Sequence, residues 1–100
     1  MLKYRREADT LTVTLSGELD HHTSEYIREE LDRLIEDVSI KHLILDLRCL
    51  QFMDSSGIGV VLGRYRTMAK RKGSVSVKNT TPHIDKIFEV SGLYKIIHKL

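Results

Sequence analysis

A strict alternation of apolar and polar residues marks the start of the chain. The segment TLTVTL, residues 10–15, places leucine or valine at every second position, and a period of two predicts a half-buried strand with outward-facing threonines. The polar stretch at residues 7–10 can turn the chain back onto a short strand around residues 3–6. The sequence therefore predicts an opening hairpin.

Apolar residues at helical spacing predict three helices farther along the chain. The first extends from Tyr26, with charged residues on its outer side as in an amphipathic surface helix. The second follows the serines at 55 and 56 and is closed by Gly73. The third begins at Thr81-Pro82, a cap followed by a proline at the first helical position, and Gly92 is placed to end it in a left-handed turn. The predicted buried faces are Ile27, Leu31, Leu34, Ile35 and Val38; Ile58, Val61, Leu62, Tyr65 and Ala69; and Ile84, Ile87 and Phe88.

Further strands are predicted between these helices. LILDL, residues 43–47, is a nearly continuous apolar run of the kind that is buried on both faces of a sheet. Residues 74–78 form a short strand with Val75 and Val77 inward, and residues 94–98 alternate as a last strand. The predicted order is ββαβαβαβ, an α/β fold. Its mixed, mainly parallel β-sheet has the N-terminal hairpin at one edge and right-handed crossover helices.

Composition restricts the class of protein. One hundred residues with 41% hydrophobic content suffice for one domain with a modest core. The single cysteine, Cys49, cannot form an internal disulfide, and neither a secretory signal nor an apolar run of roughly 18 residues is evident. The formal charge of +2 is too balanced to favour nucleic acid, and the basic cluster at residues 70–72 suits a helix C-terminus. We therefore expect a cytoplasmic protein with no nucleic-acid or membrane partner.

The segment FMDSSGIG, residues 52–59, carries the most distinctive polar residues. Asp54, Ser55 and Ser56 fall where a central strand is expected to run into a helix, at the carboxyl end of the sheet, where ligands gather in α/β folds. Free N–H groups at a helix N-terminus favour a phosphate, whether bound or attached to a serine. Helix capping accounts for the same three residues without any function.

The glycines of this segment complete neither a catalytic nor a nucleotide-binding motif. A nucleophile elbow requires glycine two residues before the serine, and a dinucleotide fingerprint requires a third glycine at a spacing that this chain lacks. Gly57 and Gly59 are instead expected to let the helix start pack closely on the sheet. They would also leave the serine hydroxyls uncrowded.

A second polar cluster, GELDHHT at residues 17–23, precedes the first helix. Asp20 or Thr23 can cap that helix. His21 and His22 diverge too strongly to hold one metal ion together, and no further Cys or His pair completes a site, so no metal is expected. A serine hydrolase would need one of these histidines as a base beside one of the two serines, and that alternative stays open.

Together these segments resemble one protein family. GELDHHT, LILDL, FMDSSGIGVVLGRYR and FEVSGLYKII look like parts of the STAS-domain antagonists of anti-sigma factors, and the likeness extends over almost the whole chain. The DHHT and GRY segments favour the sporulation members of that family over the general-stress members. The resemblance implies the STAS fold and a single STAS domain over residues 1–100.

The resemblance also implies a function. Such proteins are not enzymes but switches, whose unphosphorylated form binds an anti-sigma factor that is also a serine kinase and so releases the sigma factor. The kinase then phosphorylates the first serine of DSSG, here Ser55, and a PP2C-type phosphatase resets the protein. No cofactor is implied, since the partner kinase uses the ATP. The residues expected at the partner interface are Asp20, His21, Asp54, Ser55, Ser56, Gly57 and Ile58.

Besides the serine hydrolase, two further alternatives to this hypothesis remain. One is a general-stress antagonist with a different kinase partner, and the other is a STAS module that binds a nucleotide or another small anion at the DSSG helix start. Members of the family commonly continue into a further C-terminal helix after the position of Leu100. We therefore expect an uncovered apolar strip at that edge of the sheet, and with it a tendency to self-associate.

Overall fold

The structure, a computed structural model, describes residues 2–100; Met1 of the predicted 1–100 domain lies outside the described residues. The elements in chain order are β1 (Leu2–Glu7), β2 (Thr10–Leu15), β3 (Gly17–Leu19), α1 (Ser24–Leu34), β4 (His42–Asp46), β5 (Leu50–Met53), α2 (Ser55–Lys70), β6 (Ser74–Lys78), α3 (Pro82–Val90), a 3-10 turn (Leu93–Lys95) and β7 (His98–Lys99). No helix within this range combines the length and hydrophobicity that crossing a bilayer requires.

A five-stranded sheet in the order β1-β2-β4-β6-β7 forms the centre of the molecule. β1 pairs antiparallel with β2, whereas the β2–β4, β4–β6 and β6–β7 pairs are all parallel. The predicted hairpin, the strand at residues 43–47 and the strand at residues 74–78 are therefore confirmed. The mixed, mainly parallel sheet with the hairpin at one edge is confirmed as well.

Alternation along the strands places the hydrophobic core on one face of this sheet. Leu11, Val13 and Leu15 are buried, and they belong to the same core cluster as the apolar residues of all three helices. Thr12 and Thr14 point to the opposite face, because successive side chains of a strand alternate. The sheet therefore has one face covered by helices and one polar face. The burial on both faces that the apolar run at residues 43–47 indicated is wrong, because Ile44 on the polar face is only half-buried.

Two short strands that the sequence did not predict form a second sheet. β3 and β5 pair in parallel, with an irregularity between Gly17 and Glu18. Helix α2 consequently starts from this small sheet and not from a central strand, so the predicted order ββαβαβαβ is wrong by two strands. Neither segment carries the alternation that marks a strand, since Gln51 and Phe52 of β5 are adjacent and both exposed.

The buried faces of two helices also differ from the prediction. α1 ends at Leu34 with Ile35 as its C-cap, so Val38 lies beyond the helix and is 67% exposed. In α2 the buried face is rotated by one position. Its buried residues are Gly57, Val60, Val61, Arg64 and Met68, while Ala69, predicted to be buried, is exposed.

A Schellman motif ends α2. The N–H of Lys72 donates to Ala69 and the N–H of Gly73 donates to Met68. The left-handed residue is Lys72, with φ of 60°, and not Gly73 as a glycine terminator would suggest. Gly73 is instead required by a close approach, because a Cβ there would lie 2.2 Å from the carbonyl oxygen of Lys41.

The beginning of α3 confirms the prediction, but the segment after it does not. Thr81 caps α3, its hydroxyl accepting the N–H of Ile84, and Gly92 adopts a left-handed φ of 82°. A last strand was predicted at residues 94–98, but the chain forms a 3-10 turn at Leu93–Lys95 and the strand, β7, is confined to His98–Lys99. The buried residues of this segment, Leu93 and Ile97, are four positions apart, which fits a turn better than a strand.

Asp85 of α3 ties this turn to the helix. Its carboxylate accepts hydrogen bonds from Tyr94, Thr80 and Lys99. The bond from Tyr94 is the main reason why the pKa of Asp85 lies below its ordinary value. Burial, together with the same hydrogen bond, raises the pKa of Tyr94 to about 12.

Candidate functional site

Asp54 is the residue that caps α2. Its backbone is extended, and its Oδ1 accepts the N–H of Ser56 at 2.8 Å. Ser55 is the first residue of the helix and is exposed, and its hydroxyl makes no hydrogen bond to any of residues 2–100. Capping therefore accounts for Asp54 but leaves the Ser55 side chain without a structural role.

The small sheet brings the two polar segments of the sequence together. β3 and β5 are parallel, so the residues that follow them emerge at the same end. The N–H of His21 donates to Asp54 Oδ2 at 3.3 Å, and the Asp54 N–H donates to the Leu19 carbonyl, also at 3.3 Å. The loop after β3 and the start of α2 thus form one surface.

Asp20 stabilises that loop by hydrogen bonds to the loop's own backbone. Its Oδ1 accepts the N–H groups of His22 and Thr23 at 2.9 and 3.1 Å. Partial desolvation opposes ionisation, but these backbone hydrogen bonds outweigh it and hold the pKa of Asp20 below its usual value. Asp20 Oδ2 has no hydrogen-bond partner in the described chain. The carboxylate is therefore anionic, with one oxygen available to a partner.

The two histidines of the loop form no visible catalytic or metal site. The rings of His21 and His22 lie 5.7 Å apart and are both exposed. Among residues 2–100 no group of three potential metal ligands is present, and neither ring hydrogen-bonds Ser55 or Ser56. Nothing in this geometry supports the serine hydrolase alternative.

The two glycines of the segment differ in role. A Cβ on Gly57 would lie 2.3 Å from Met53 Cγ and 3.0 Å from both Leu19 Cγ and the Leu19 carbonyl oxygen. The predicted close packing is therefore confirmed for Gly57. It is wrong for Gly59, which is exposed and has no atom within 4 Å of the corresponding position.

An apolar groove of about 360 Å³ lies beside Ser55, between the start of α2 and helix α3. Met53, Ile58, Ile87 and Val90 supply its apolar walls, and Val90 is 76% exposed. Ser55 and Lys86 also line the groove. We name it the α2–α3 groove.

The contribution of α3 to this groove was not predicted. The sequence signal was weak, because Ile87 was assigned to the core and is only half-buried. An exposed valine at position 90 on the outer side of an amphipathic helix is the one visible hint. Its proximity to Ser55 depends on the tertiary fold, which no local pattern reports.

Replacing Asp54 tests whether it holds the site together. Asp54→Ala removes the acceptor for both the Ser56 and the His21 N–H groups, and we expect the free energy of unfolding to fall by about 1 kcal/mol, the usual loss for a helix cap. Urea unfolding measures this change. Asp54→Asn is the matched control, because its single amide oxygen can still accept the capping N–H of Ser56 although it loses the bond from His21, and it should retain most of the stability. Equal losses in both variants would contradict the capping role.

Comparisons with known proteins agree with this fold. The STAS domain family model matches residues 2–100. Over 87 residues the chain is 46% identical to the anti-sigma F factor antagonist of Paenibacillus polymyxa, covering 87% of this chain and 74% of that protein. The anti-sigma-B factor antagonist of Bacillus subtilis is 29% identical over 93 residues, which cover 93% of this chain and 84% of that protein.

A solved structure extends the likeness to three dimensions. The anti-sigma factor antagonist SpoIIAA in its unphosphorylated form superposes with a TM-score of 0.86 at 34% identity, over 100% of this chain and 88% of that chain. SpoIIAA in its phosphorylated form superposes with a TM-score of 0.78, over 100% of this chain and 91% of that chain. The chain therefore belongs to the STAS domain family, within its group of anti-sigma factor antagonists.

Proposed function

We propose that the chain is a sporulation-type anti-sigma factor antagonist switched by phosphorylation of Ser55. In the unphosphorylated form it binds an anti-sigma factor that is also a serine kinase, and it thereby releases the sigma factor. The kinase phosphorylates Ser55, and a PP2C-type phosphatase removes the phosphate. The protein acts in the cytoplasm as a single domain over residues 1–100, without catalysing a reaction or holding a cofactor.

The observation that carries this proposal is the position of Ser55. Its hydroxyl is exposed and unpaired at the first turn of α2, so a kinase can reach it without unfolding the chain. The α2–α3 groove lies directly beside it. A surface that pairs an accessible hydroxyl with an apolar groove suits a partner that both binds and modifies the protein.

The charges around Ser55 explain how one phosphate could end the interaction. The modification adds a charge of about −1.5 to −2 next to Asp54, whose Oδ2 is joined to the loop that contains Asp20. In a closed interface this charge must be desolvated beside existing carboxylates. In the free protein, by contrast, the helix dipole and water stabilise it. Phosphorylation therefore weakens the complex more than it disturbs the fold.

The loop after β3 supplies a specific contact for the partner. Asp20 is held by hydrogen bonds through Oδ1 alone, which leaves Oδ2 directed to accept a charge-assisted hydrogen bond. An arginine of the kinase is the complementary group. His21, Ser56, Gly57 and Ile58 complete the surface that we assign to the partner.

Incubation with ATP and a sporulation-type anti-sigma kinase tests the proposal, followed by intact-mass measurement and peptide mapping. We expect one phosphate on Ser55 and none on the Ser55→Ala variant. A phosphate on another residue would show that Ser55 is not the residue that switches the protein. Modification by a general-stress kinase alone would instead favour the general-stress antagonist.

A further inference from the structure

A basic cleft occupies the polar face of the large sheet, opposite the helices. Lys3, Thr14, Asp46 and Lys78 form one transverse row, because Lys3 pairs with Thr14, Thr14 with Asp46 and Asp46 with Lys78. A second pair, Arg5 and Thr12, lies two residues away on the first two strands. These residues, with Arg48 after β4, line a cleft of about 340 Å³.

The cations of this cleft have no hydrogen-bond or ion-pair partner among the described residues. The side chains of Lys3, Arg5, Arg48 and Lys78 make no hydrogen bond or ion pair to residues 2–100. Several other cations of the chain do have partners: Arg6 binds Asp37, Arg33 binds Glu30 and Lys99 binds Asp85. The side chains of Arg48 and Lys78 act on Asp46 only through their charge. The cleft therefore gathers basic side chains that no hydrogen bond or ion pair of the described fold holds.

One carboxylate in the cleft does not neutralise them. Oδ1 of Asp46 already accepts from Asn79 Nδ2 at 3.0 Å and from the Arg48 N–H at 3.1 Å. Partial burial raises the pKa of Asp46, but these two hydrogen bonds, together with the nearby charges of Arg48 and Lys78, outweigh burial and leave the pKa below its ordinary value. Four cations against one carboxylate leave a net charge of +3 on the cleft.

The spacing of the cations indicates the size of the complementary anion. Neighbouring strands lie about 4.8 Å apart, so the backbones of Lys3 and Lys78, three strands apart in one row, are about 14 Å from each other. Long basic side chains carried on backbones this far apart can contact several linked phosphates at once. Thr12 and Thr14 supply hydrogen-bond donors on the sheet surface at the base of the cleft. Their hydroxyls are also unpaired in the described chain.

We propose that this basic cleft binds a small oligophosphate anion, a ligand with two or more linked phosphate groups. Arg and Lys provide charge-assisted hydrogen bonds to phosphate oxygens, and the threonine hydroxyls donate from below. The cleft shares no residue with the α2–α3 groove or with the DSSG helix start. Binding there is independent of the kinase partner and of Ser55.

Calorimetric titration of the isolated chain with tripolyphosphate at low ionic strength tests the proposal. We expect one site, and we expect the double variant Arg5→Gln/Lys78→Gln to lose about tenfold or more in affinity. Arg66→Gln/Lys70→Gln is the matched control, because it removes the same two charges from exposed, unpaired residues of α2 outside the cleft. It should bind as the parent chain does. An equal loss in both double variants would show nonspecific attraction and overturn the proposal.

Two further ligands distinguish the source of the phosphates. If ATP competes with tripolyphosphate for the same site, the phosphate chain is the recognised group and the proposal is supported for nucleotides too. Binding of ATP without tripolyphosphate would place recognition on the base and overturn the proposal. An acidic peptide that binds where tripolyphosphate does not would assign the cleft to a protein partner and equally overturn it. Amide chemical-shift changes should centre on Thr12, Thr14 and Lys78.

Discussion

The Ser55→Asp variant is expected to bind the anti-sigma factor about a thousandfold more weakly than the parent chain, which corresponds to about 4 kcal/mol. The new carboxylate stands at the first turn of α2 beside Asp54, and an interface that closes over it must desolvate both charges. Phosphoserine installed at the same position should weaken binding at least as strongly. Calorimetry with the purified partner measures the affinity.

The matched control for this prediction is Ser55→Asn. Asparagine has nearly the shape of aspartate without its charge, so it should keep most of the affinity, as should Ser55→Ala. The thermal midpoints of all three variants should stay close to that of the parent, because Ser55 makes no side-chain hydrogen bond within the described residues. If Asn weakens binding as much as Asp does, the switch works by shape and the electrostatic explanation is wrong.

Gly57→Ala is expected to lower the free energy of unfolding by about 1–3 kcal/mol, the usual cost of overpacking. Its Cβ would overlap Met53 Cγ and press on the side chain and carbonyl of Leu19. Met53 and Leu19 are the last residues of the two small strands and are almost fully buried, so they have little room to move. Partner binding should weaken as well, because the displaced helix start carries Ser55. Chemical denaturation and calorimetry measure the two effects.

Gly59→Ala provides the comparison on the same helix. No atom lies within 4 Å of the added methyl group, and alanine is the better helix former by about 1 kcal/mol. Its stability should therefore be equal to or greater than that of the parent chain. A comparable loss in both variants would show that the contact with Met53 and Leu19 is not the reason for glycine at position 57.

The sequence predicted those elements whose secondary structure depends only on their own residues. The alternation at residues 10–15 and the apolar run at 43–47 specify strands without reference to the rest of the chain. The Thr81-Pro82 cap and the left-handed Gly92 were equally readable. These features depend on the spacing of apolar side chains and on the backbone preferences of single residues. Both can be identified in a single sequence.

Other features depend on contacts between distant segments and could not be predicted locally. β3 has three residues and β5 has four, and each is a strand only because the other pairs with it. The predicted strand at 94–98 had a suitable period, but the turn at Gly92 and the burial of Leu93 and Ile97 impose a helical turn there. Tertiary packing overrides local preference at both places.

The candidate site divides in the same way. The position of Ser55 at a helix start followed from the sequence, and the closeness of Gly57 to neighbouring elements was expected. The hydrogen bond from His21 to Asp54 and the contribution of Val90 to the groove were not, because they depend on how β3, β5 and α3 are placed. The groove in particular joins residues more than thirty positions apart.

The outer edge of β1 affects how readily the protein aggregates in concentrated solution. β1 ends the strand order, so one row of its backbone groups is free to accept a strand from another molecule, and basic side chains discourage such growth. Arg6 is held by Asp37 and Ser39, which leaves Lys3 and Arg5 as this protection. Anions that neutralise these two residues therefore remove an electrostatic barrier to aggregation, and the solubility of the chain should decrease as the concentration of multivalent anions rises.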